Sequence, residues 1–309
     1  MPIIYKEMKK EYVQYNRFRS LAFFAALLLF LASCHRDSHQ RLPSVRAIAA
    51  AKEAGGPADR QEVEQVVFYI FDQNRLFIDK ITAPLNQSVE LDYPCFKHFY
   101  VIGLGNIDEN NGSITGFEAG MSKLDGEVTL KLLHEYLLHP LYASPSDIFY
   151  GEVKVRNSRV SGLPADLPLA RATSNVSVKV RGVKEHFGDS GNNYSVVLST
   201  GYNALDFSGM PMGCPANYRL AGEFTPHYPS QFETGVFRVF GSRTGIPVEV
   251  RIYRGNTLVD VVSTDISGNP LMACNGKLLE VRINYTASTP VVEQIHADWN
   301  DILVWKGFD

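Results

Sequence analysis

Several features that mark common protein classes are scarce or missing in this sequence. Its 309 residues include four cysteines and no C-x-x-C spacing, so the patterns of zinc-binding and thioredoxin-like sites are missing. Positive charge is not in excess, because 30 Lys and Arg stand against 33 Asp and Glu. Proteins that bind nucleic acid are typically basic, so no nucleic-acid partner is expected. No apolar run reaches the length of about 20 residues that a membrane-spanning helix needs.

The longest apolar run covers only the twelve residues 21–32 and follows a basic segment. A basic start, a short apolar run and small residues at its end are typical of a secretory leader. We therefore predict that residues 1–33 are a signal peptide. They carry five basic and two acidic residues, a charge of +3, so the mature chain has a net charge of −3 − 3 = −6.

The leader ends in Leu31, Ala32, Ser33 and Cys34, which resembles a bacterial lipobox. In that chemistry Cys34 receives a diacylglyceryl group on its sulfur, and the peptide is cut before it. Acyl chains bind a membrane firmly when two or more are present, because each buried methylene contributes about 0.8 kcal/mol. The alternative is an ordinary leader that is cut elsewhere.

Polar residues with Ala, Gly and Pro follow the leader, which predicts a flexible tether over residues 34–62. Strand signals begin directly afterwards. Residues 66–71 and 76–81 are apolar runs around the turn formers of 72–75, which predicts a hairpin. Residues 99–106 predict a further strand.

Helical spacing appears once in the mature chain, over residues 128–138. Pro140 would end such a helix. The pattern predicts a short helical insertion in the first domain, and its apolar residues are Val128, Leu130, Leu132, Leu133, Tyr136, Leu137 and Leu138.

Alternation of apolar and polar residues dominates the second half of the chain, and Gly255 with Asn256 forms a typical two-residue hairpin turn. Such alternation with short turns predicts antiparallel sheets with one wet face. We therefore predict an all-β chain with two antiparallel β-sandwich domains in tandem, at residues 63–165 and 166–309. The alternating apolar residues are Val176, Val178 and Val180, then Val248, Val250 and Ile252, then Leu279, Val281, Ile283 and Tyr285.

No motif in the sequence calls for catalysis. His134 and His139 resemble a zinc-protease pair, but five residues turn a helix by roughly 500°, which leaves the two rings about 140° apart. The Gly-Leu-Gly-Asn stretch at 103–106 lacks the third glycine of a dinucleotide site. We predict no catalytic residue, no metal, no cofactor and no enzymatic activity.

The cysteines of the second half leave two alternatives open. Cys214 and Cys274 could form a disulfide in an oxidising compartment. They could equally be buried free thiols, because cysteine is commonly buried unpaired.

Four features in order carry a resemblance to a known family. They are the lipobox Cys34, the run VEQVVFYIFDQNRLF, the run FYVIGLGN, and FYGEVKV followed by PLARATSNVSVKVRG with Arg171 before a strand. Together they resemble the FimB-like fimbrial anchor family of the fimbrillin or type V pilin superfamily of Bacteroidia. Each motif is loose, but their order and spacing extend over most of the mature chain.

The resemblance implies two transthyretin-like sandwiches and assembly by strand donation, in which an extended strand of one subunit fills a groove in its neighbour. The implied partners are other fimbrial subunits, above all the stalk pilin, and the outer membrane through the lipid on Cys34. In this superfamily a trypsin-like protease cuts stalk subunits after an Arg and so removes the lipid and the first strand. Anchor subunits keep the lipid and stay at the surface of the outer membrane.

Arg46 and Ala47 are the candidate processing site, twelve residues after Cys34. Residues 35–46 hold no apolar strip, so a cut there is expected to free the protein without opening a groove. This favours a plain linker at Arg46 and an anchor role, with processing as the rival interpretation.

The apolar C-terminal segment is the other candidate for assembly. Trp299 and Trp305 are the candidate pilin contacts, because aromatic side chains dominate interfaces. The alternative is that this segment forms the last strand of the second sandwich.

Three hypotheses follow for the whole chain. The first is a lipid-anchored fimbrial subunit that attaches a pilus to the outer membrane and limits its length. The second is a stalk or tip pilin of the same superfamily. The third is a surface lipoprotein that binds glycans or hydrolyses them, since a sandwich fold can host such sites.

Overall fold

Strands dominate the computed structural model of the chain, which describes residues 42–49, 63–107, 110, 112–134, 140–157, 163–188, 193–220, 222–225, 228–243, 246–286 and 290–298. The all-β prediction is confirmed. Within these residues, helical structure is limited to a 3₁₀ turn at Lys123–Asp125 and helix α1 at Val183–Phe187. No helix in the described ranges is long and apolar enough to cross a membrane.

The described residues of the first half of the chain form eleven strands. They are β1 (Ser44–Ala49), β2 (Gln65–Phe71), β3 (Phe77–Pro84), β4 (Ser88–Glu90), β5 (His98–Gly105), β6 (Gly112–Ile114), β7 (Glu127–Leu130), β8 (Leu132–His134), β9 (Leu141–Tyr142), β10 (Phe149–Arg156) and β11 (Ala165–Arg171).

In the second half, the residues that the structure describes form twelve strands. They are β12 (Thr173–Arg181), β13 (Tyr194–Thr200), β14 (Ala204–Asp206), β15 (Pro211–Met212), β16 (Ala216–Leu220), β17 (Gly222–Thr225), β18 (Tyr228–Thr234), β19 (Phe237–Phe240), β20 (Glu249–Arg254), β21 (Thr257–Val262), β22 (Lys277–Asn284) and β23 (Val291–Asp298).

The first sheet has seven strands in the order β3-β2-β5-β10-β11-β1-β4. The predicted hairpin is confirmed as β2 and β3. Its turn is held by the Asp72 carboxylate, which accepts hydrogen bonds from the backbone N–H of Asn74 at 2.7 Å and of Leu76 at 2.9 Å. Arg75 within the turn has a φ of 64°, a left-handed conformation.

This sheet folds over on itself between β10 and β11. The two strands pair only at Phe149 with Arg171 and at Tyr150 with Ala170. Beyond that point β11 lies across the sheet, where Gly151 of β10 and Gly103 of β5 face each other. A Cβ on Gly151 would lie 2.3 Å from the carbonyl oxygen of Pro168, so the close approach of the two layers requires glycine there.

A hydrophobic core fills the space between the two layers of the folded sheet. Val66, Phe68 and Phe99 of one layer are fully buried with Val45 and Leu167 of the other. Alternate residues of each strand point into this core, as expected for strands with period-2 side chains.

Two further sheets consist mainly of strands of the second half and pack on a shared core, and the second of them also includes β8 and β9 of the first half. One has the order β17-β18-β12-β22-β23, with β19 also pairing with β12, and the other has the order β21-β20-β13-β16-β9-β8. The predicted turn at Gly255 and Asn256 joins β20 to β21, and Gly255 has a φ of 59°. Most pairings are antiparallel, while β1 with β11, β12 with β22 and β9 with β16 are parallel.

The predicted helix over residues 128–138 is wrong for the part that the structure describes. Residues 127–130 form β7 and residues 132–134 form β8, while residues 135–139 lie outside the described ranges. Val128 and Leu130 also fit strand alternation, and both are buried where β7 pairs with β6 and β14. Pairing with strands distant in sequence therefore overrides the local helical spacing.

The two halves are less separate than the predicted boundary between residues 165 and 166 implies. β11 belongs to the first sheet up to Arg171 and β12 starts the next sheet at Thr173, so the chain changes sheets at Ala172. A small sheet with the order β15-β14-β7-β6 joins strands of both halves. By its contacts, Leu42–Asp309 forms one unit.

An ion pair marks the crossing between the sheets. The Arg171 Nε lies 3.0 Å from Asp147 Oδ1, the two side chains are only 9% and 15% exposed, and the guanidinium stands over the Phe149 ring at 4.9 Å. Thr173 donates a further hydrogen bond to Asp147 at 3.3 Å. Burial raises the pKa of the Asp147 carboxyl, and Arg171 opposes that rise.

The close approach of the two layers predicts a steric cost at Gly151. We expect Gly151→Ala to lower the free energy of unfolding by about 2 kcal/mol, because the added methyl group would meet the Pro168 carbonyl and the Leu167 side chain. The matched control is Gly116→Ala, where a Cβ meets nothing within 4 Å. Urea unfolding measures both, and equal stabilities of the two variants would contradict the role of Gly151.

The crossing predicts a pH-dependent cost of losing Arg171. We expect Arg171→Met to lower the free energy of unfolding by about 3 kcal/mol at pH 7, because a buried carboxylate loses its partner. Without Arg171 the pKa of Asp147 in the folded state rises further above its value in the unfolded chain. Stability is then lost as pH rises, so the cost is smaller at pH 4 than at pH 7.

Urea unfolding at the two pH values tests this. The control is Arg46→Met, which removes the exposed ion pair with Asp166 and should cost less than about 1 kcal/mol. An equal loss for Arg171→Met at pH 4 and pH 7 would show that Asp147 is not the group involved.

Candidate functional site at strand β1

Strand β1 lies inside the first sheet and is paired along both edges. It runs parallel to β11, with Val45 opposite Ala165 and Ala49 opposite Leu169, and antiparallel to β4. Two further backbone hydrogen bonds join this segment to the residues around β4, from Leu91 N to Pro43 O at 2.8 Å and from Asn86 N to Ala47 O at 3.0 Å. The strand therefore completes the sheet.

The two faces of β1 have different partners. Val45 and Ala47 point inward with no exposed surface and belong to the core between the layers. Arg46 points outward, where its Nη2 lies 2.7 Å from Asp166 Oδ1, and the two side chains are 39% and 47% exposed. An ion pair so exposed contributes little, so burial of the inward side chains and backbone pairing hold the strand.

The tether prediction is wrong at residues 44–49, because they form β1. Arg46 therefore lies in a paired strand and not in a plain linker. Among the side chains of β1 that the structure describes, Val45 and Ala47 point inward, and the partner strand β11 lies about 120 positions later. The expectation that a cut after Arg46 opens no groove rested on a segment without an apolar strip, whereas Val45 and Ala47 of β1 belong to the core.

Pairing of β1 on both edges limits protease access to the bond between Arg46 and Ala47. Proteolytic nicking favours exposed segments whose backbone hydrogen bonds are not engaged. Here β1 must first leave the sheet, so cleavage depends on the population of an opened state. We therefore expect the folded protein to be a poor protease substrate at this bond.

The remaining predicted site residues lie apart from β1. Cys34, Trp299 and Trp305 lie outside the described residues. Cys214 and Cys274 are both free and exposed, so in the structure they form neither the proposed disulfide nor buried thiols.

The C-terminal strand β23 lies at the edge of its sheet. It pairs with β22 along its whole length, from Val291 opposite Asn284 to Asp298 opposite Lys277. Ile295 is 36% exposed. The last-strand interpretation therefore fits residues 291–298, and the prediction for the two tryptophans that follow stays open.

Candidate metal ligands do not gather in the part of the chain that the structure describes. Its His, Cys, Asp and Glu residues form no group of three or more that could hold a metal ion. His134 is exposed on β8, and His139 lies outside the described residues.

Comparison with known proteins identifies a family to which most of the chain is similar. Residues 46–304 match the family described as fimbrillin-A associated anchor proteins Mfa1 and Mfa2. No curated protein matches the chain.

Solved structures share the fold at low sequence identity. The fimbrial anchor protein Mfa2 of Porphyromonas gingivalis is 16% identical, with a TM-score of 0.60 over 84% of this chain and 98% of that one. A candidate polysaccharide-binding protein of Bacteroides thetaiotaomicron is 14% identical, with a TM-score of 0.63 over 84% and 98%. A candidate adhesin of Bacteroides ovatus is 12% identical, with a TM-score of 0.62 over 83% and 96%.

The pairing and burial of β1 predict how fast a protease cuts the protein after Arg46. We expect the protein to resist trypsin at Arg46 and Val45→Asn to be cut there more than tenfold faster. The substitution buries an amide in the apolar core and favours the opened state by about 2 kcal/mol. Mass spectrometry of fragments that begin at Ala47 gives the rate.

Ser44→Asn is the matched control, because it adds the same side chain on the outward face of β1. Its cleavage rate should stay near that of the unchanged protein. Rapid cutting of the unchanged protein at Arg46 would show that β1 does not protect this bond.

Proposed function

The chain belongs to the family of fimbrillin-A associated anchor proteins Mfa1 and Mfa2, and from that premise we propose that it attaches a pilus to the outer membrane through lipid on Cys34. The family consists of structural fimbrial proteins and not of enzymes. In this proposal the protein contacts the neighbouring pilin by strand donation and thereby also limits the length of the pilus.

The observation that carries the proposal is the pairing of β1 on both edges. As long as β1 stays in the sheet, the bond after Arg46 is protected, so a cut there does not separate the folded body from Cys34. A lipid on Cys34 then stays attached to the protein, which is what an anchor requires. Protection of the bond after Arg46 thus supports an anchor over a processed stalk subunit.

A retained β1 also restricts which contact the protein can offer. The groove between β11 and β4 is filled, so it cannot accept a strand from a neighbour. We place the contact to the stalk pilin at the C-terminal segment, where β23 ends at a sheet edge and Trp299 and Trp305 follow. Such a segment would donate a strand or an aromatic anchor to the adjacent subunit.

Stalk or tip pilins are the rival within the same superfamily. A stalk role requires β1 to leave, either after cleavage at Arg46 or by unfolding. The two roles therefore differ in the N-terminus of the protein found in sheared fimbriae, which starts at Ala47 for a processed stalk subunit.

We predict that Cys34→Ala releases fimbriae from the cell, because the protein loses its acyl chains and with them its hold on the membrane. The experiment expresses the variant in the native host, fractionates cells and medium, and measures fimbriae by electron microscopy. Cys95→Ala is the matched control, since Cys95 is an exposed free thiol on the folded body.

Fimbriae that stay on the cells with Cys34→Ala would overturn lipid anchoring. Deletion of the gene separates the roles further. Longer fimbriae in the medium support an anchor that limits length, whereas complete loss of filaments points to a structural or initiating subunit.

A further inference from the structure

Cations gather around Tyr100 on the outer face of the first sheet. Phe99 and Val101 point into the core beneath β1, so Tyr100 between them points to the opposite face. Across the pairing of β5 with β10, Tyr100 stands opposite Lys154 and His98 stands opposite Arg156. We call Arg75, His98, Tyr100, Lys154 and Arg156 the basic cluster.

The Tyr100 ring organises this basic cluster. Arg75 Cζ lies 5.0 Å and Lys154 Nζ 5.4 Å from the ring centroid, which are cation–π distances. The His98 ring lies 5.5 Å away at 78°. Arg75 reaches this position from the turn between β2 and β3, whose shape Asp72 holds.

The positive charge of the cluster is available to a ligand. Arg75, Lys154 and Arg156 are exposed, and none of the three forms an ion pair within the described residues. Glu152 lies on the same face of β10, but it accepts a hydrogen bond from the buried Lys123 at 2.6 Å. The mature chain has a net charge of −6, so the sign of this patch is opposite to that of the whole protein.

We propose that the basic cluster binds an acidic polysaccharide through its carboxylate or sulfate groups. The guanidinium groups of Arg75 and Arg156 can each pair with such a group in two parallel hydrogen bonds. On the same face of β5, Ile102 and Leu104 are buried in the core of the second half, so the basic cluster is the exposed end of that face. Its exposed side chains suit an extended chain that lies on the surface. Attachment to an anionic membrane typically uses about four to eight cations, more than the three here.

This site is independent of the anchor role, because it needs neither the lipid nor the C-terminal segment. It lies on the opposite face of the sheet from the core that β1 covers. A loss of glycan binding would therefore leave the proposed anchoring intact, and a failure of anchoring would leave the glycan site intact.

Affinity electrophoresis through gels that contain polygalacturonate tests the proposal, with uncharged dextran as the reference polymer. We expect retention by polygalacturonate, and a loss of about tenfold in affinity for the double variant Lys154→Ala and Arg156→Ala. The matched control removes two exposed cations elsewhere, with Arg219→Ala and Lys277→Ala. Circular dichroism checks that both variants are folded.

Substitutions of Tyr100 give a second test, because they change the ring and leave the charge of the cluster unchanged. Tyr100→Phe keeps the ring and should retain the affinity for polygalacturonate, whereas Tyr100→Leu releases the cations and should weaken it several-fold. An equal loss with both substitutions would contradict the positioning role of the ring.

Three results would overturn the glycan site. One is the absence of retention by polygalacturonate, and another is an equal loss of affinity in the control double variant. The third is binding to vesicles of phosphatidylglycerol and phosphatidylcholine without binding to polygalacturonate, which would identify a membrane contact instead.

Discussion

The pairing of β1 with β11 and β4 is the constraint on which the first sheet depends. Without β1, both neighbours would expose unpaired backbone groups, and the core side chains Val89 and Leu167 would face an open groove. The partner strand lies about 120 residues later in the chain. The core of the first sheet is therefore covered only when β1 pairs with β11, which are far apart in the sequence.

A second constraint is the small distance between the two layers of the sheet. β11 pairs with β1 and also lies directly over β5 and β10. Gly103 and Gly151 leave the space that Leu167 and the Pro168 carbonyl occupy. The same strand then carries the chain into the next sheet at Arg171, where the buried pair with Asp147 fixes the crossing. One strand thus closes the first core and connects it to the second half.

The two faces of the first sheet carry different groups of residues. The inner face packs against β1, which closes the core. In the proposed anchor role, this pairing also protects the bond after Arg46. The opposite face carries the basic cluster around Tyr100 at one end, and its Ile102 and Leu104 are buried in the core of the second half. Because side chains alternate along each strand, the neighbours Phe99 and Tyr100 lie on opposite faces, Phe99 in the core and Tyr100 in the basic cluster.

Local chemistry in the sequence determined much of the fold. Asp72, Asp206 and Asp265 each accept hydrogen bonds from the backbone N–H groups two and four residues later, so these turns form from neighbouring residues alone. Alternation in β20 and β22 and the turn at Gly255 likewise made the all-β class and the hairpins predictable. The order of the motifs was enough to indicate the family.

Only the tertiary structure decided the role of residues 44–49, the strands at 127–134 and the crossing at Ala172. Val45 and Ala47 are too few to give a periodic signal, and the apolar residues around Val128 fit a helix and a strand alike. In each case the deciding energy comes from pairing and burial against strands distant in sequence, which a local pattern does not contain. The sequence by itself therefore determined the turns, the class and the family, whereas long-range strand pairing decided which segment closes the core.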